Sequence, residues 1–509
     1  MLNQLFRTKS LDLILSEGRK PEHRLKRTLG AFDVVMLGIG AIIGAGIFAT
    51  IGTAAAGDAS RPGAGPALIL SFVLTGIACG FAALCYAEFA AMVPISGSAY
   101  TYSYATLGEL VAWIIGWDLI IEYAVGNVAV AISWGNYFKT FVAGFGIEIP
   151  AWLSTDYRTA ARIPGLFESA PHLFGVPIIF NVLAFGIVAL ITIVLVIGIR
   201  ESATATSVMV VLKLIVLALF VLVGWRFVKV ENFQPFAPNG WKGVQAGAAI
   251  VFFAYIGFDA VSTVAEEVRD PKRDLPIGII GSLVICTIIY IVVAVVFTGI
   301  IPYSVLVNKL ATEQAEPLTM ALQYADVGRW ENVFVGIVAL GSVVAHTAVL
   351  LVFQLGQPRI FFSMARDGLL PPSFAKVHPR FRTPHVTTIL TGLVVAGCAM
   401  FTSIDEMVDL TNIGTLFAFV LVCLGILILR KRDPDRPRAF RTPWAPAVPI
   451  LGVMSCLYLM LGLPWITWVR FGLWLALGLV IYFCYGYRKS GLRAGEPARN
   501  HRHLETEDR

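Results

Sequence analysis

Apolar residues run along this chain in continuous stretches, separated by short segments where charge, proline and glycine collect. Twelve such stretches are readable, at residues 32–56, 66–93, 107–135, 176–199, 207–228, 244–264, 277–301, 333–362, 386–401, 410–429, 448–463 and 471–487. Most have close to the about 20 residues that carry a helix across the hydrocarbon core of a bilayer. They are unbroken rather than alternating, so they predict helices and not the strands of a barrel. The expected fold is therefore an all-α polytopic membrane protein with twelve transmembrane helices.

Composition narrows the class. Of 509 residues, 57% are hydrophobic and 14% charged, against roughly 25% charged in soluble domains. A chain this long cannot coat a water-facing surface with so few charges, which excludes a soluble multi-domain enzyme. The net charge of +6 is dispersed, so it gives no footprint for nucleic acid. The seven cysteines all sit in apolar segments without CxxC or Cys/His spacing, and read as small core residues. The N-terminus is charged and lacks a small-residue cleavage site, so the first apolar run is expected to be a retained span.

Position gives the basic residues their meaning. With the N-terminus placed inside, 28 lysines and arginines fall on the inside, counting Arg359 at a span end, and 10 on the outside, counting Arg226 at a span end. That asymmetry predicts both termini in the cytoplasm and a multi-pass protein of the cell membrane. The last of the 39 basic residues is Lys213, within a predicted span.

The first span is interrupted by its own composition. Gly38, Gly40, Gly44 and Gly46 fall within nine residues, each costing about 1 kcal/mol of helix stability relative to alanine. They lie on more than one face, which is more than a simple packing seam requires. The sixth span has Gly257 and Asp259 amid aromatics in Phe252-Phe-Ala-Tyr-Ile-Gly-Phe-Asp-Ala260. Paired interruptions of this kind point to a midplane binding site at the junction of two inverted halves. An unwound segment offers free amides to a carboxylate and free carbonyls to an ammonium, and an α-amino acid carries both groups.

These residues carry a resemblance. Gly44-Ala-Gly-Ile-Phe48, Phe253-Ala-Tyr-Ile-Gly-Phe-Asp-Ala-Val261, Ala265-Glu-Glu-Val-Arg-Asp-Pro271 with Leu275-Pro-Ile-Gly278, and Ser363-Met-Ala-Arg-Asp-Gly-Leu-Leu-Pro371 look like the amino acid, polyamine and organocation superfamily. Within it the chain is most similar to bacterial members of the cationic amino acid transporter family. The resemblance implies a leucine-transporter-type fold with discontinuous helices 1 and 6 and a 5+5 inverted repeat. Its units would be a cytoplasmic segment at 1–30, five-helix repeats at 31–228 and 241–430, two additional helices at 445–487 and a cytoplasmic tail at 488–509.

Carried over by motif position, the carboxylate-binding amides would be those of Gly44, Ala45 and Gly46. The ammonium-binding carbonyls would be those of Ile42, Phe253, Ala254 and Ile256, with Ile43 inside the same binding stretch. Phe253 would also cap the substrate, and Asp259 would join it in gating. Relatives often have Ser or Thr where this chain has Ala45, which removes a hydroxyl from the site. Lys213 would stand where other carriers bind a sodium ion, between helices 1 and 8, with Thr347 as a candidate neighbour. Glu122 would lie near the cavity and couple to it.

The charges within spans have competing readings. Lys213 is either a permanently paired structural cation or a proton carrier, since burial disfavours the charged form of a lysine. Glu122 and Asp118 are four apart on one helix face. Glu122 is a protonated structural carboxyl, a proton sensor or an attractant for a cationic side chain. Asp259 either caps the resumed half-helix or takes part in gating. His346 reads as a hydrogen-bonded core residue, Phe353 and Gln354 as side-chain pocket lining, and Glu88, Glu266 and Glu267 as loop-paired or solvated residues at helix ends.

Function then reads as secondary active uptake of L-amino acids with protons, cationic ones such as arginine and lysine or also small neutral ones. An exchanger and a neutral-only symporter are the alternatives. HExxH, GxSxG and Walker motifs do not occur, so neither an enzyme nor an ATP-driven pump is expected. The expected partners are an amino acid, a proton and the bilayer, with no cofactor, metal or nucleic acid; a single-pass membrane partner is not readable from sequence.

Overall fold

The computed structural model describes residues 5–9, 27–93, 98–198, 203–312, 316–381 and 383–492. Most of the N-terminal segment, Arg200 and the tail beyond residue 492 therefore lie outside the described residues. The rest is helical apart from two small hairpins. In chain order the main helices are α1 (Ala31–Ile42), α2 (Ile51–Ala56), α3 (Leu68–Met92), α4 (Glu109–Ile120), α5 (Gly126–Ala143), α6 (Val182–Ile197), α7 (Ala203–Gly224) and α8 (Gly240–Val251). They continue with α9 (Pro271–Ile300), α10 (Pro317–Ala325), α11 (Glu331–Arg366), α12 (His385–Phe401), α13 (Ile404–Arg432), α14 (Ala447–Met460) and α15 (Trp465–Ile481).

Local chemistry sets several of these boundaries. Pro271 and Pro317 stand in the first turn of α9 and α10, where a missing N–H costs nothing because that group has no helical partner. The Asp33 carboxylate accepts a 2.9 Å hydrogen bond from the Gly30 amide at the start of α1. α6 opens on Asn181, whose side-chain oxygen accepts from the Ala184 amide.

Among the described residues, eight helical runs are long and apolar enough to cross a membrane. α1 with the following Gly46–Ala56 run forms a bent pair that passes the same test together, and α6, α12 and α14 are shorter apolar helices. Every apolar stretch of the sequence falls on one of these elements, although boundaries move. The stretch expected to end at residue 135 continues through α5 to Ala143, the one expected from residue 176 starts at Val182, and residues 98–106, expected to be loop, form a helix.

Outward faces of the bundle are apolar, as Val208, Val211, Leu212 and Ile215 on α7 and Leu473, Leu477 and Val480 on α15 illustrate. That is the lipid-facing inversion of a soluble surface. α9 lies between α1 and α3, α11 packs on α5, and α6 packs on α12.

The two ends of the bundle differ in their polar ties. At one end Lys9 pairs with Asp367 at 3.1 Å, the Gly491 amide donates to the Asp367 carbonyl, and Arg430 and Arg438 close on Glu88. Glu88 is thus loop-paired, as expected, but fully buried rather than solvated. The described residues near both termini meet at this end. At the other end of α13, Arg61 of the hairpin β1 (Gly57–Asp58) and β2 (Arg61–Pro62) pairs with Asp409 at 2.7 Å and Asp58 at 2.9 Å. Arg158 and Arg470 meet Glu406 at the same end.

Candidate functional site

α1 stops where its glycines begin to crowd. Ile43 is extended (φ −76°, ψ 102°), Gly44 follows outside any helix, and the chain re-enters a wide π-helical turn over Gly46–Thr50 before α2. The two halves are bent by 40°. The facing interruption is longer. α8 tightens into a 3₁₀ turn over Phe252–Tyr255, passes through extended Ile256 and resumes as a 3₁₀ turn over Asp259–Glu267.

The two interruptions touch. A Cβ on Gly46 would lie 2.1 Å from the Ala254 Cα. Gly257 has φ +120°, which side-chain-bearing residues rarely adopt, and a Cβ there would lie 2.8 Å from the Ala41 carbonyl. Both positions are therefore restricted to glycine by close backbone approach.

The freed backbone groups find partners on neighbouring helices, as burial demands. Asn412 of α13 donates to the carbonyls of Ala249 and Ile250, and Thr75 of α3 donates to Ala248. Tyr290 of α9 sets its hydroxyl 2.8 Å from the Ala254 carbonyl and 3.1 Å from the Ile42 carbonyl, bridging the two interruptions with one side chain. Tyr290 and Asn412 escaped the sequence reading. A lone tyrosine in an otherwise apolar run was the available signal, since a buried phenol needs a partner.

Lys213 is completely buried on α7, and its Nζ donates to the carbonyls of Gly40 at 2.8 Å and Ile43 at 2.9 Å. The lysine expected near the first interruption thus closes its carbonyl end directly. Thr347 is committed elsewhere: its hydroxyl donates to Val343 and accepts from Trp134 Nε1.

Glu122 sits in a π-helical turn (Ile121–Val125) between α4 and α5, a local widening that is frequent at functional positions. Its carboxyl group and that of Asp259 lie close enough to interact electrostatically, and both residues are buried. Asp259 therefore faces Glu122 across the bundle. Asp118 lies against Gly414 of α13.

The remaining expectations divide. His346 is a core residue, with Nδ1 at 2.6 Å from the Ser342 carbonyl and Nε2 at 2.8 Å from the Ser133 hydroxyl. Phe353 packs edge-on against Tyr123, next to Glu122. Gln354 instead spends its amide on a helix-to-helix tie, accepting from Asn127 at 2.7 Å and reaching Thr192 at 3.3 Å. Phe253 is buried beside Ala254 and the Gly46 contact. A cavity of about 140 Å³ opens toward the β1–β2 end, where its lining includes Thr50, Thr53, Arg61, Glu316 and Asp405.

Comparison with known sequences decides the family. The pattern of the family described as "Amino acid permease" matches residues 29–484. The chain belongs to this family. The permease is 48% identical over 493 residues to the branched-chain amino acid permease BcaP of Bacillus subtilis, covering 97% of this chain and 100% of that one. It is 44% identical over 489 residues to the methylthioribose transporter of the same organism, covering 96% and 99%. With the vacuolar cationic amino acid transporter 4 of Arabidopsis thaliana it shares 36% identity over 440 residues, covering 85% of this permease and 68% of that protein.

Proposed function

We propose that this permease is a secondary active carrier that takes up L-amino acids with protons by alternating access. Its twelve spans form two inverted five-helix units, residues 31–228 and 241–430, with two further helices at 445–487. Residues 1–30 and 488–509 are cytoplasmic, and the protein resides in the cell membrane.

The observation that carries this reading is the contact of two interrupted helices, Gly46 on Ala254, with polar backbone from both converging there. The Gly44, Ala45 and Gly46 amides hold the substrate carboxylate. The Ile42, Phe253, Ala254 and Ile256 carbonyls hold its ammonium, Ile42 and Ala254 sharing with the Tyr290 hydroxyl through their second lone pairs. Lys213 supplies a fixed positive group where a sodium ion would otherwise hold the first interruption, which supports proton over sodium coupling. Glu122 and Asp259, which face one another across the bundle, hold and release the coupled proton, and Phe253 closes over the substrate.

Phe353 and Tyr123 make the wall beside Glu122 apolar, so branched-chain and other apolar side chains are favoured over cationic ones. The 48% identity to a protein named for branched-chain amino acids supports the same order. A thermal-shift screen of the purified permease against all proteinogenic L-amino acids and methylthioribose tests it, because a bound ligand stabilises by mass action. Leucine, isoleucine and valine should raise the melting temperature most. Stabilisation by methylthioribose alone would remove the amino acid reading.

A further inference from the structure

Nine tyrosines are buried among the described residues, and six of them, Tyr100, Tyr104, Tyr137, Tyr255, Tyr290 and Tyr482, spend their hydroxyl on a hydrogen bond. The hydroxyls of the other three, Tyr86, Tyr102 and Tyr123, are buried without a hydrogen-bond partner among the described residues. A buried phenol ordinarily has one. These three share a neighbourhood: each lies close enough to Asp259 to interact with it electrostatically, and Tyr86 and Tyr123 interact with Glu122 as well. Both carboxyl oxygens of Asp259 and Oε2 of Glu122 are buried and unpartnered in the same sense. Unspent hydroxyls have therefore collected around unspent carboxyl oxygens.

Tyr123 belongs to the wall beside Glu122, next to Phe353. The other two lead away from the carboxyl pair, toward the end of the bundle where Arg430 closes on Glu88. Tyr86 of α3 stands edge-on to Phe258, the residue before Asp259, at 5.9 Å, and it interacts with Tyr102. Phe89, three residues and about 4.5 Å further along α3, stacks on the Tyr102 ring at 5.2 Å. The segment after Asp259 descends alongside. Residues three apart eclipse in its 3₁₀ turn, where the Ser262 hydroxyl donates to the Asp259 carbonyl at 2.6 Å and lies beside Tyr102. One turn beyond Tyr102, the Thr106 carbonyl accepts from Arg432, which is exposed. Two orphaned hydroxyls thus occupy the buried interval between the carboxyl pair and the surface.

Asp118 offers another descent from Glu122, one turn along α4 toward the same end, and its carboxyl group is also unpartnered among the described residues. Residues 110–117, which follow it in that direction, carry no hydroxyl or carboxyl side chain. That lane stops at Asp118.

We propose that Tyr86 and Tyr102 form the exit relay of the coupled proton, handing it from the Glu122 and Asp259 pair to the cytoplasmic end. At each phenol the oxygen accepts the arriving proton and releases the one it held. One O–H bond forms as another breaks, both phenols end neutral, and the net change is one proton moved from a carboxyl group to cytoplasmic water. The relay rests on the proton-coupled carrier reading above; the gathering of orphaned groups does not.

Proteoliposomes holding the full chain, with leucine as substrate and a pH-sensitive dye in the lumen, test the relay by comparing two rates. One is net leucine uptake with its proton movement; the other is leucine exchange, in which the carrier returns loaded and releases no net proton. Tyr86→Phe and Tyr102→Phe keep the rings and remove only the hydroxyls. Each should slow net proton-linked uptake by about tenfold or more, the scale on which a placed proton-transfer group acts, and leave exchange at the wild-type rate. Equal slowing of both rates would make the tyrosines structural and overturn the relay, as would unaltered net proton movement in either folded variant; both outcomes leave the carrier reading standing. A wild-type protein without leucine-linked proton movement would overturn the coupling and the relay together. Should Tyr86→Phe not fold, the ratio of the two rates in Tyr102→Phe decides alone: a wild-type ratio overturns the relay.

Discussion

Lys213 Nζ donates to the Gly40 carbonyl at 2.8 Å, from a helix 173 residues further along the chain. A second bond reaches Ile43 at 2.9 Å, so one side chain holds the end of α1 where the helix stops. Removing or reorienting that group frees two buried carbonyls at once, which couples the state of α7 to the shape of the first interruption.

The Gly46 to Ala254 contact predicts the most severe single substitution. Gly46→Val should abolish amino acid binding, because its Cβ alone would fall 2.1 Å from a backbone carbon that cannot move aside. Even Gly46→Ala should weaken binding at least tenfold. Isothermal titration of the folded variants checks this, and unaltered affinity in Gly46→Ala would contradict the close approach.

Tyr290→Phe should keep the packing of the ring and lose only its hydroxyl. The carbonyls of Ile42 and Ala254 then lack that partner, a loss of about 1 to 3 kcal/mol. Thermal unfolding should show the loss in the ligand-free protein and a smaller one with saturating substrate, because a bound ammonium serves the same oxygens. Equal losses in both conditions would separate Tyr290 from the substrate.

Arg61 lies between Asp409 and Asp58 with its side chain 6% exposed. Arg61→Met should destabilise by about 3 to 5 kcal/mol, the cost of leaving a buried charge uncompensated. The double variant Arg61→Met with Asp409→Leu should recover most of it. Additive losses in a double-mutant cycle would show that the pair is not a unit.

Glu316 predicts a pH dependence of stability. Its folded-state value of about 8 lies above the usual 4.5, so between those values the native chain holds a proton that the unfolded chain has released. Stability should therefore decline from about pH 5 to pH 8 and level off above. Glu316→Gln should flatten that limb in melting curves; an unchanged slope would place its origin elsewhere.

The order and position of the helices were legible because a bilayer imposes length and polarity on every span. The first interruption was legible because four glycines in nine residues oppose a helix. Partners across the bundle were not. Tyr290 and Asn412 answer backbone groups on other helices, and only packing brings them there. Gln354 was placed on the pocket by its position on α11, but an amide turns toward the nearest polar partners, Asn127 and Thr192. The π-helical turn that presents Glu122 has no marker in the local sequence, since its residues read as ordinary helix.

Proton coupling that depends on Lys213 holding the first interruption is the central claim, and uptake by proteoliposomes under an imposed pH gradient tests it most directly. With leucine as substrate, the wild-type permease should concentrate the amino acid against its gradient and lose this when the pH gradient is collapsed. Lys213→Ala should retain leucine binding, within about tenfold, but no longer accumulate it when acid is imposed outside. Undiminished pH-driven accumulation by a folded Lys213→Ala protein would contradict the account.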